Sequence, residues 1–338
     1  MSATTLDIRQ PDTHEPTSGR SYPLSVSSGS LCLGDCRDIM PILAENSVAL
    51  SVWSPPYCVG KEYERGVTYD EWANMLSDVL HAHARILKPG GFCAVNIGDI
   101  LCYQDAEMPR IQASKPRLAI TREDIEKCRR ENPAANRNQL AALLGVSEQT
   151  IQRRSENNNV RGGKTEPQTR MKLCGELIER PAYDAGLYLY DRRIWHKDPC
   201  WANSQWHTNS YRAVDEAEYV WILWKPGITQ IKRGRLRPRE WSEWGSRGVW
   251  QIPSVRANDV HEAMFPVELP RRLIRLLTDE GDMVLDPFCG SGTSGVAASE
   301  LNRRFVGIDK DPVALEIARQ RLSANESTLP TEGAAKNL

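Results

Sequence analysis

Two short runs in this chain carry residue types that could do chemistry, and each follows an apolar stretch. Ser54-Pro55-Pro56-Tyr57 comes directly after Val48 to Trp53, which reads as a buried strand. It offers a small hydroxyl, a backbone stiffened by proline and an aromatic ring. Asp286-Pro-Phe288-Cys-Gly290-Ser291-Gly292-Thr293 follows Met283-Val-Leu285, a second short apolar strand. Its glycines let a ligand approach the backbone closely. Each run therefore sits where a strand ends, which is where open α/β sheets bind ligands.

The elements needed to hold these runs can be read with a mechanism. A helix from about Ser294 to Leu301 would point its first amides at the glycine loop, a setting that favours a carboxylate. Nucleotide and dinucleotide folds share that strand-loop-helix pattern. Phe305-Val-Gly-Ile308 reads as the next strand and ends in Asp309, which is placed to accept both hydroxyls of a ribose or to serve as a loop acid or cap. Thr68 and Glu71 form a capping box, and Trp72, Leu76, Val79, His83 and Ile86 or Leu87 follow at helical spacing. Lys88-Pro89-Gly90-Gly91 stops that helix before a strand from Phe92 to Ile97. Asp311 and Pro312 suit the N-cap and first position of a last helix with Leu315, Ala318 and Leu322 as its stripe. Short strands alternating with amphipathic helices predict an α/β fold with a mostly parallel sheet covered on both faces.

Residues 121–163 break the rhythm and read as a small helical insertion. Thr121 to Glu131 is a charged helix. Asn138 to Arg154 has the form of a helix-turn-helix, with Gly145 at the turn and Ser147 capping a second helix that carries Gln149, Gln152, Arg153 and Arg154. Such second helices lie in the major groove of DNA, although a small three-helix packing unit has the same pattern. Asn157 to Asn159 and Arg161 to Gly163 form an adaptable exit. Residues 1–28 and 323–338 are polar and predict disorder.

Composition excludes several classes. Lysine and arginine number 43 against 44 acidic residues, so any attraction to nucleic acid must be local. No apolar run approaches the ~20 residues of a membrane span, and the first thirty residues lack a secretory core. The 9 cysteines form no CxxC pair, which argues against a disulfide framework and a zinc site and predicts a reducing, cytoplasmic setting.

The two runs together resemble the amino-methylating DNA methyltransferases that use S-adenosylmethionine. Their order, catalytic run first and glycine loop last, resembles the circularly permuted β group. The resemblance covers about residues 30–110 and 175–322. Leu31-Cys-Leu-Gly-Asp35-Cys36 resembles the family segment at the cofactor adenine, with Asp35 as acceptor. His261 to Pro270 resembles the segment before the cofactor loop, with Phe265 and Pro266 lining the methionine pocket. Lys88 to Gly91 and Asn96-Ile-Gly98-Asp99 match the central region, whereas Cys58 stands where many relatives have Asn.

The resemblance implies a Rossmann-like S-adenosylmethionine-dependent methyltransferase fold. Its domains would be a catalytic half over 29–120, the insertion, a base-pocket and target-recognition region over 164–250, and a cofactor half over 251–322. Asp286, Phe288, Gly290, Ser291, Gly292, Thr293 and Asp309 would complete the cofactor site, without a metal.

The chemistry of such an enzyme follows from its substrate. The exocyclic amine of a nucleobase is a poor nucleophile because its lone pair is delocalised into the ring. Ser54 Oγ and the Pro55 carbonyl would accept its hydrogens and let the nitrogen pyramidalise, while Pro56 stiffens the loop. Positioning suffices without a covalent intermediate. Tyr57 would stack on a base extruded from double-stranded DNA, and Trp195 resembles the second base-pocket position. Ser at the first position resembles the enzymes acting on cytosine N4; those acting on adenine N6 usually carry an acid or amide there. Cytosine C5 chemistry, which needs a Cys nucleophile, is not supported at Cys58.

Lys225, Lys232, Arg233, Arg235, Arg237, Arg239 and Arg247 form a basic stretch with only Glu240 and Glu243 as acids and Trp241, Trp244 and Trp250 interleaved. It is expected to neutralise phosphates. Asn203, Gln205, His207 and Asn209 are candidates for target recognition. The main expectation is a site-specific cytosine-N4 DNA methyltransferase. The competing ones are adenine-N6 methylation and a DNA-binding regulator with a vestigial core. A cognate restriction endonuclease and a homodimer are compatible partners.

Overall fold

A computed structural model describes residues 8–9, 29–57, 67–105, 107–108, 120–156, 169–200, 213–255 and 265–328. In chain order the elements are β1 (Ile8–Arg9), β2 (Gly29–Leu33), α1 (Cys36–Ile39), β3 (Val48–Trp53), α2 (Tyr69–Ile86), β4 (Leu87–Ile97) and β5 (Ile100–Gln104). Next come α3 (Arg122–Glu131), α4 (Arg137–Leu143), α5 (Glu148–Ser155), β6 (Thr169–Lys172), α6 (Glu176–Asp184), β7 (Tyr188–Cys200) and β8 (Asp215–Trp224). The chain closes with α7 (Pro238–Glu240), β9 (Val249–Gln251), α8 (Glu268–Leu277), β10 (Met283–Asp286), α9 (Thr293–Glu300), β11 (Arg304–Asp309) and α10 (Pro312–Thr328). These fall into two compact units, one of Met1–Cys102 with Met171–Leu338 and one of Tyr103–Arg170.

The larger unit is a mixed nine-stranded sheet in the order β1-β2-β11-β10-β3-β4-β8-β7-β9. The run from β1 to β4 is parallel throughout, and β8 then pairs antiparallel with both β4 and β7. All six residues of β3 are buried, as a strand covered on both faces must be. Helix α9 packs against α8 and α10, and α2 packs against α1 and α6. The two strands latest in sequence, β10 and β11, sit between β2 and β3. This insertion of the C-terminal strands into the middle of the sheet is the topological form of the permuted order. It places the ends of β2, β11, β10 and β3 along one edge, at the point where the strand order reverses.

Local signals explain the main boundaries. Thr68 caps α2 in a reciprocal box with Glu71, and Trp72, Leu76, Val79, His83 and Ile86 are buried on its inner stripe. Lys88 to Gly91 does not form a separate turn after this helix. Extended chain starts at Leu87, and a register shift between Val48 and Leu50 absorbs the segment as a bulge within β4. Gly90 supplies the left-handed residue there, and Ile228 would block a side chain at that position.

Two described stretches, Ile8–Arg9 and the chain from Ser323 to Thr328, are ordered where disorder was expected. Ile8 and Arg9 pair in parallel with Leu31 and Cys32, because β2 would otherwise leave an open ladder on that side. Helix α10 continues past Ser323 to Thr328, since no breaker precedes Pro330, which disfavours helix at the residue before it. The smaller unit, wider than 121–163, contains α3, α4 and α5, each opened by a side-chain cap from Thr121, Asn136 or Ser147. Its core consists of Ile125, Ala141 and Ile151, with Ile120, Leu144 and Val146 against them. So small a core is sensitive to one deletion. Ile151→Ala is expected to destabilise the helical unit by about 2–5 kcal/mol. Hydrogen exchange should show α3 to α5 losing protection while the sheet strands keep theirs; equal loss in both would show that the two units unfold together.

Candidate active site

Ser54 to Tyr57 leaves the end of β3 and is held from below. Trp72 Nε1 donates to the Pro56 carbonyl at 2.6 Å. Trp53 stacks on buried His83 at 5.7 Å and donates to Cys93 Sγ. Among the described residues no donor reaches the Pro55 carbonyl. Ser54 Oγ donates to Tyr57 Oη at 3.0 Å, and Tyr57 Oη donates to Glu218 Oε2 at 2.7 Å. Burial, with the Glu218 charge next in effect, pushes the Tyr57 phenol well above its usual range, so it stays protonated. Cys58 and residues 201–210, with the recognition candidates Asn203, Gln205, His207 and Asn209, lie outside the described residues.

The glycine loop leaves β10, the parallel neighbour of β3. Phe288 packs against Trp53 with ring centroids 5.4 Å apart, so the two runs meet. Gly292 adopts φ +79° before α9, and a Cβ there would lie 2.8 Å from Ala318. Arg321 of α10 donates to the Ser291 carbonyl and hydroxyl and to Thr293 Oγ1. Asp309 Oδ2 accepts from the Gly290 amide at 2.7 Å, and Oδ1 accepts from the Asp311 amide. Asp309 therefore orders the loop itself. Asp286 is buried and accepts from Ser294 Oγ at 2.6 Å and from the Phe288 amide at 3.0 Å. Burial pushes its carboxyl up to about 7 despite these bonds.

The remaining cofactor candidates lie along the same edge. Gly34, after β2, donates to the Asp309 carbonyl. Asp35 caps α1 through the Arg37 amide and is paired with the Arg37 and Lys310 side chains, each at 2.7 Å. Its carboxylate is thus already engaged by donors. Cys36 is buried in α1, and burial followed by the Asp35 charge pushes its thiol up to about 12. Phe265 is half-buried against the main core, and the Pro266 carbonyl accepts from Leu269 at the start of α8. Residues 261–264 are outside the described set. Trp195 is a core aromatic whose indole donates to the Ile252 carbonyl at 2.8 Å; it sits opposite Glu218 in the β7–β8 ladder.

The basic stretch is less free than its sequence implies. Asp279, remote in sequence, accepts both arms of Arg235 at 3.0 Å and pairs with Lys232 at 2.9 Å. Lys225 donates to Asn46 and the Leu87 carbonyl, and Arg247 donates to the Ser242 carbonyl. Trp244 and Trp250 pack edge-to-face in the core, and only Trp241 is exposed. The Arg239 side chain is 87% exposed and pairs with Glu243. The Arg237 amide is held by Glu240; Arg233 lies in a short helical turn of which only the backbone is described.

Sequence reasoning missed Glu218, Lys197, Trp72 and Arg321 as site-shaping residues. Only Glu218 left a signal, as the acid that directly precedes the apolar run from Tyr219 to Trp224. Among the described residues no His, Cys, Asp and Glu group could hold a metal, and no helix is long and apolar enough to cross a membrane.

A permuted, mostly parallel sheet with a proline-aromatic run beside a glycine loop defines a Rossmann-like methyltransferase core. Residues 48–320 match the DNA methylase family of N6 and N4 enzymes, and the chain belongs to that family. It is 54% identical over 292 residues to the type II methyltransferase M.BglI of Bacillus subtilis, covering 86% of this chain and 84% of that protein. It is 26% identical over 327 residues to the type II methyltransferase M.Cfr9I of Citrobacter freundii, covering 92% and 93% of the two chains. Among solved structures, a DNA modification methylase of Thermus thermophilus, complexed with S-adenosyl-L-methionine, superposes with a TM-score of 0.58 at 23% identity, over 88% of this chain and 95% of that one. The cytosine-N4-specific PvuII DNA methyltransferase gives 0.53 at 19% identity, over 91% and 93%. At these identities the structural likeness concerns the fold.

The buried acid gives a pH test with a defined sign. An unfolded aspartate titrates near ~3.9, whereas Asp286 is raised to about 7 in the fold. The stability it provides is complete below the lower value and lost as pH rises through the higher one. His83 acts in reverse. Burial lowers it to about 4, so its contribution is complete above the unfolded value and lost as pH falls. Asp286→Asn removes only the first contribution. The difference in Tm, variant minus parent, should therefore rise between pH ~4 and ~7. A difference that stays constant across that window would show that Asp286 is already ionised in the folded protein.

Proposed function

We propose that this chain is a site-specific DNA methyltransferase that transfers a methyl group from S-adenosylmethionine to the N4 amine of an extruded cytosine. The observation that carries the reading is the meeting of Ser54-Pro-Pro-Tyr57 with the glycine loop at the ends of two adjacent parallel strands, bridged by Trp53 and Phe288. A bound cofactor would supply an electrophilic sulfonium methyl group. The donor set fits it. The N-terminus of α9 and the Gly290–Gly292 backbone suit its carboxylate, Asp309 suits its ribose hydroxyls, and half-buried Phe265 and Phe288 suit its thioether chain.

On the substrate side, Ser54 Oγ and the Pro55 carbonyl accept from the target amine and hold its nitrogen for attack. Tyr57 faces the base plane, and Pro56, fixed by Trp72, keeps the three groups in register. Ser54 favours cytosine N4 over adenine N6, because relatives acting on adenine usually carry an acid or amide at that position. The likeness to M.BglI supports a type II modification enzyme working beside a restriction endonuclease.

DNA contact rests on two surfaces. In the smaller unit α5 follows the tight turn at Gly145, which has φ +62°, as the second helix of a helix-turn-helix does, and Gln149 and Arg153 are exposed on it. In the larger unit Lys232, Arg237 and Arg239 are exposed, although Lys232 pairs with Asp279 and Arg239 with Glu243, and Arg235 is held more deeply by Asp279. Replacing Arg153 and Arg154 with Ala should lower the slope of log affinity against log salt by up to about 2. Filter binding with an unchanged slope would remove α5 from the DNA interface.

Nucleoside mass spectrometry of DNA treated with the parent protein should show N4-methylcytosine; N6-methyladenine would overturn the base assignment while keeping the scaffold. Ser54→Ala and Tyr57→Ala should each retain S-adenosylmethionine binding by calorimetry and lose methyl transfer by about 10²-fold or more. A parental rate in Ser54→Ala would overturn the catalytic assignment.

A further inference from the structure

Behind Ser54 and Tyr57 lies a polar cluster in which Asn96, from a segment that matches the family, meets Glu218 and Lys197, which lie outside the family motifs. Asn96 of β4 stands opposite Val220 of β8, and Glu218 of β8 stands opposite Trp195 of β7. Side chains opposite each other, or two apart on one strand, share a face of the sheet. Asn96, Glu218, Trp195 and Lys197 therefore project to one side, beneath the Ser54–Tyr57 loop. Lys197 Nζ donates to Glu218 Oε1 at 2.6 Å and to Asp215 Oδ2 at 3.1 Å. Asn96 Nδ2 donates to Glu218 Oε2 at 2.7 Å and lies 3.3 Å from Tyr57 Oη. A Cβ at Gly98 would lie 3.3 Å from Glu218 Cγ, so the glycine leaves room for this acid.

The protons in this cluster have one consistent arrangement. An ionised carboxylate only accepts, and an ammonium only donates. With Lys197 and Asn96 both donating to Glu218, the carboxylate requires a proton from Tyr57 Oη. Tyr57 Oη can then only accept from Ser54, so the single hydroxyl proton of Ser54 points inward. Ser54 Oγ is left with lone pairs alone on its outer side. Asn96 is 4% exposed, its amide donors face Glu218 and Tyr57, and its Oδ1 is buried without a partner among the described residues. The cluster thus presents acceptors and no donor, which suits a ligand bearing N–H groups.

We infer that Glu218, anchored by Lys197, is a positioning residue that sets the proton order along Ser54–Tyr57–Glu218, so that Ser54 meets the target base only as an acceptor. The cluster then selects a base carrying an amine at the reacting position over one carrying a carbonyl. A carbonyl would face Ser54 Oγ with no donor between two acceptors, and a site built for an N–H rejects a group that leaves its polar atoms unpaired. The inference rests on the proposed role of Ser54 as amine acceptor. It concerns proton direction and adds no transfer step.

Glu218→Gln tests it with almost no change of shape. Lys197 would hold the amide oxygen, so the new NH2 group would face Tyr57 Oη, and the Asn96 amide would turn over so that its otherwise unpartnered Oδ1 accepts from it. The chain would reverse, and Ser54 would turn its proton toward the base. With unmethylated plasmid DNA and radiolabelled S-adenosylmethionine, kcat should fall by about 10²-fold, with KM for both substrates unchanged. Lys197→Met in the Glu218→Gln background frees the amide to present its oxygen to Tyr57 and should restore part of kcat. A merely structural pair would instead lose more.

Tyr57→Phe keeps the ring and cuts the chain, so it should also lower kcat, and it keeps the inference testable if Glu218→Gln fails to fold. A parental kcat in folded Glu218→Gln, or in Tyr57→Phe, overturns the inference, as does a further loss in the double variant. Ser54→Ala run alongside separates the two levels. If it is inactive while Glu218→Gln is normal, the amine-acceptor reading stands and the proton-order inference falls. If Ser54→Ala is itself normal, the underlying reading falls.

Discussion

The parallel pairing of β10 with β3 is the constraint on which the site depends. Val284 lies opposite Leu50 and Leu285 opposite Ser51, joining segments 234 residues apart along the chain. Ser51 lies within hydrogen-bonding distance of the Leu285 carbonyl and of His83 Nε2, at 3.2 and 2.8 Å. A hydroxyl inside a wholly buried strand is costly unless partnered, so these contacts favour this neighbour and this register. A one-residue slip would turn Ser51 to the other face and separate Ser54 from the glycine loop. Burial keeps His83 neutral, which suits a ring used to brace the strand end.

From that pairing the edge is assembled by short polar links between successive strand ends. Asp309, at the end of β11, holds the Gly290 amide, while its own carbonyl accepts from Gly34 after β2. Arg321 reaches from α10 to Ser291 and Thr293. Asp286 and Ser294 tie the strand end to the first turn of α9. The loop is therefore shaped before a ligand arrives, which lowers the ordering cost of binding. Asp286 holds its proton far above the usual carboxylate range. Burial is the main cause, and Asp309 adds to it.

The antiparallel end of the sheet has a different task. Strands β7 and β8 bring Lys197, Asp215 and Glu218 under the proline-aromatic run, and β9 extends the sheet beside β7. A parallel neighbour would need a long crossover and could not return two polar strands to the same face so directly. The sheet is thus divided between a parallel part that forms the glycine-loop edge and an antiparallel part that braces the Ser54–Tyr57 run. The smaller unit carries its own capped helices and its own small core.

The sequence by itself determined the strand-loop-helix character of both runs, because buried strands, caps and glycine turns are set by neighbours within a few residues. Val48 to Trp53, the Thr68–Glu71 box, Asp311 with Pro312, and the three helices after Thr121 with the Ser147 cap were legible for that reason. So was the family, whose motifs are local and occur in order. Tertiary structure decided what distance in sequence conceals. Asp279 engages Arg235 and Lys232 of the basic stretch, Trp244 and Trp250 turn inward, and Asp35 is engaged by Arg37 and Lys310. Glu218 meets Tyr57 across 161 residues. A hydrogen bond or ion pair depends on a few ångströms between side chains, and no local pattern records which distant strand will supply the partner.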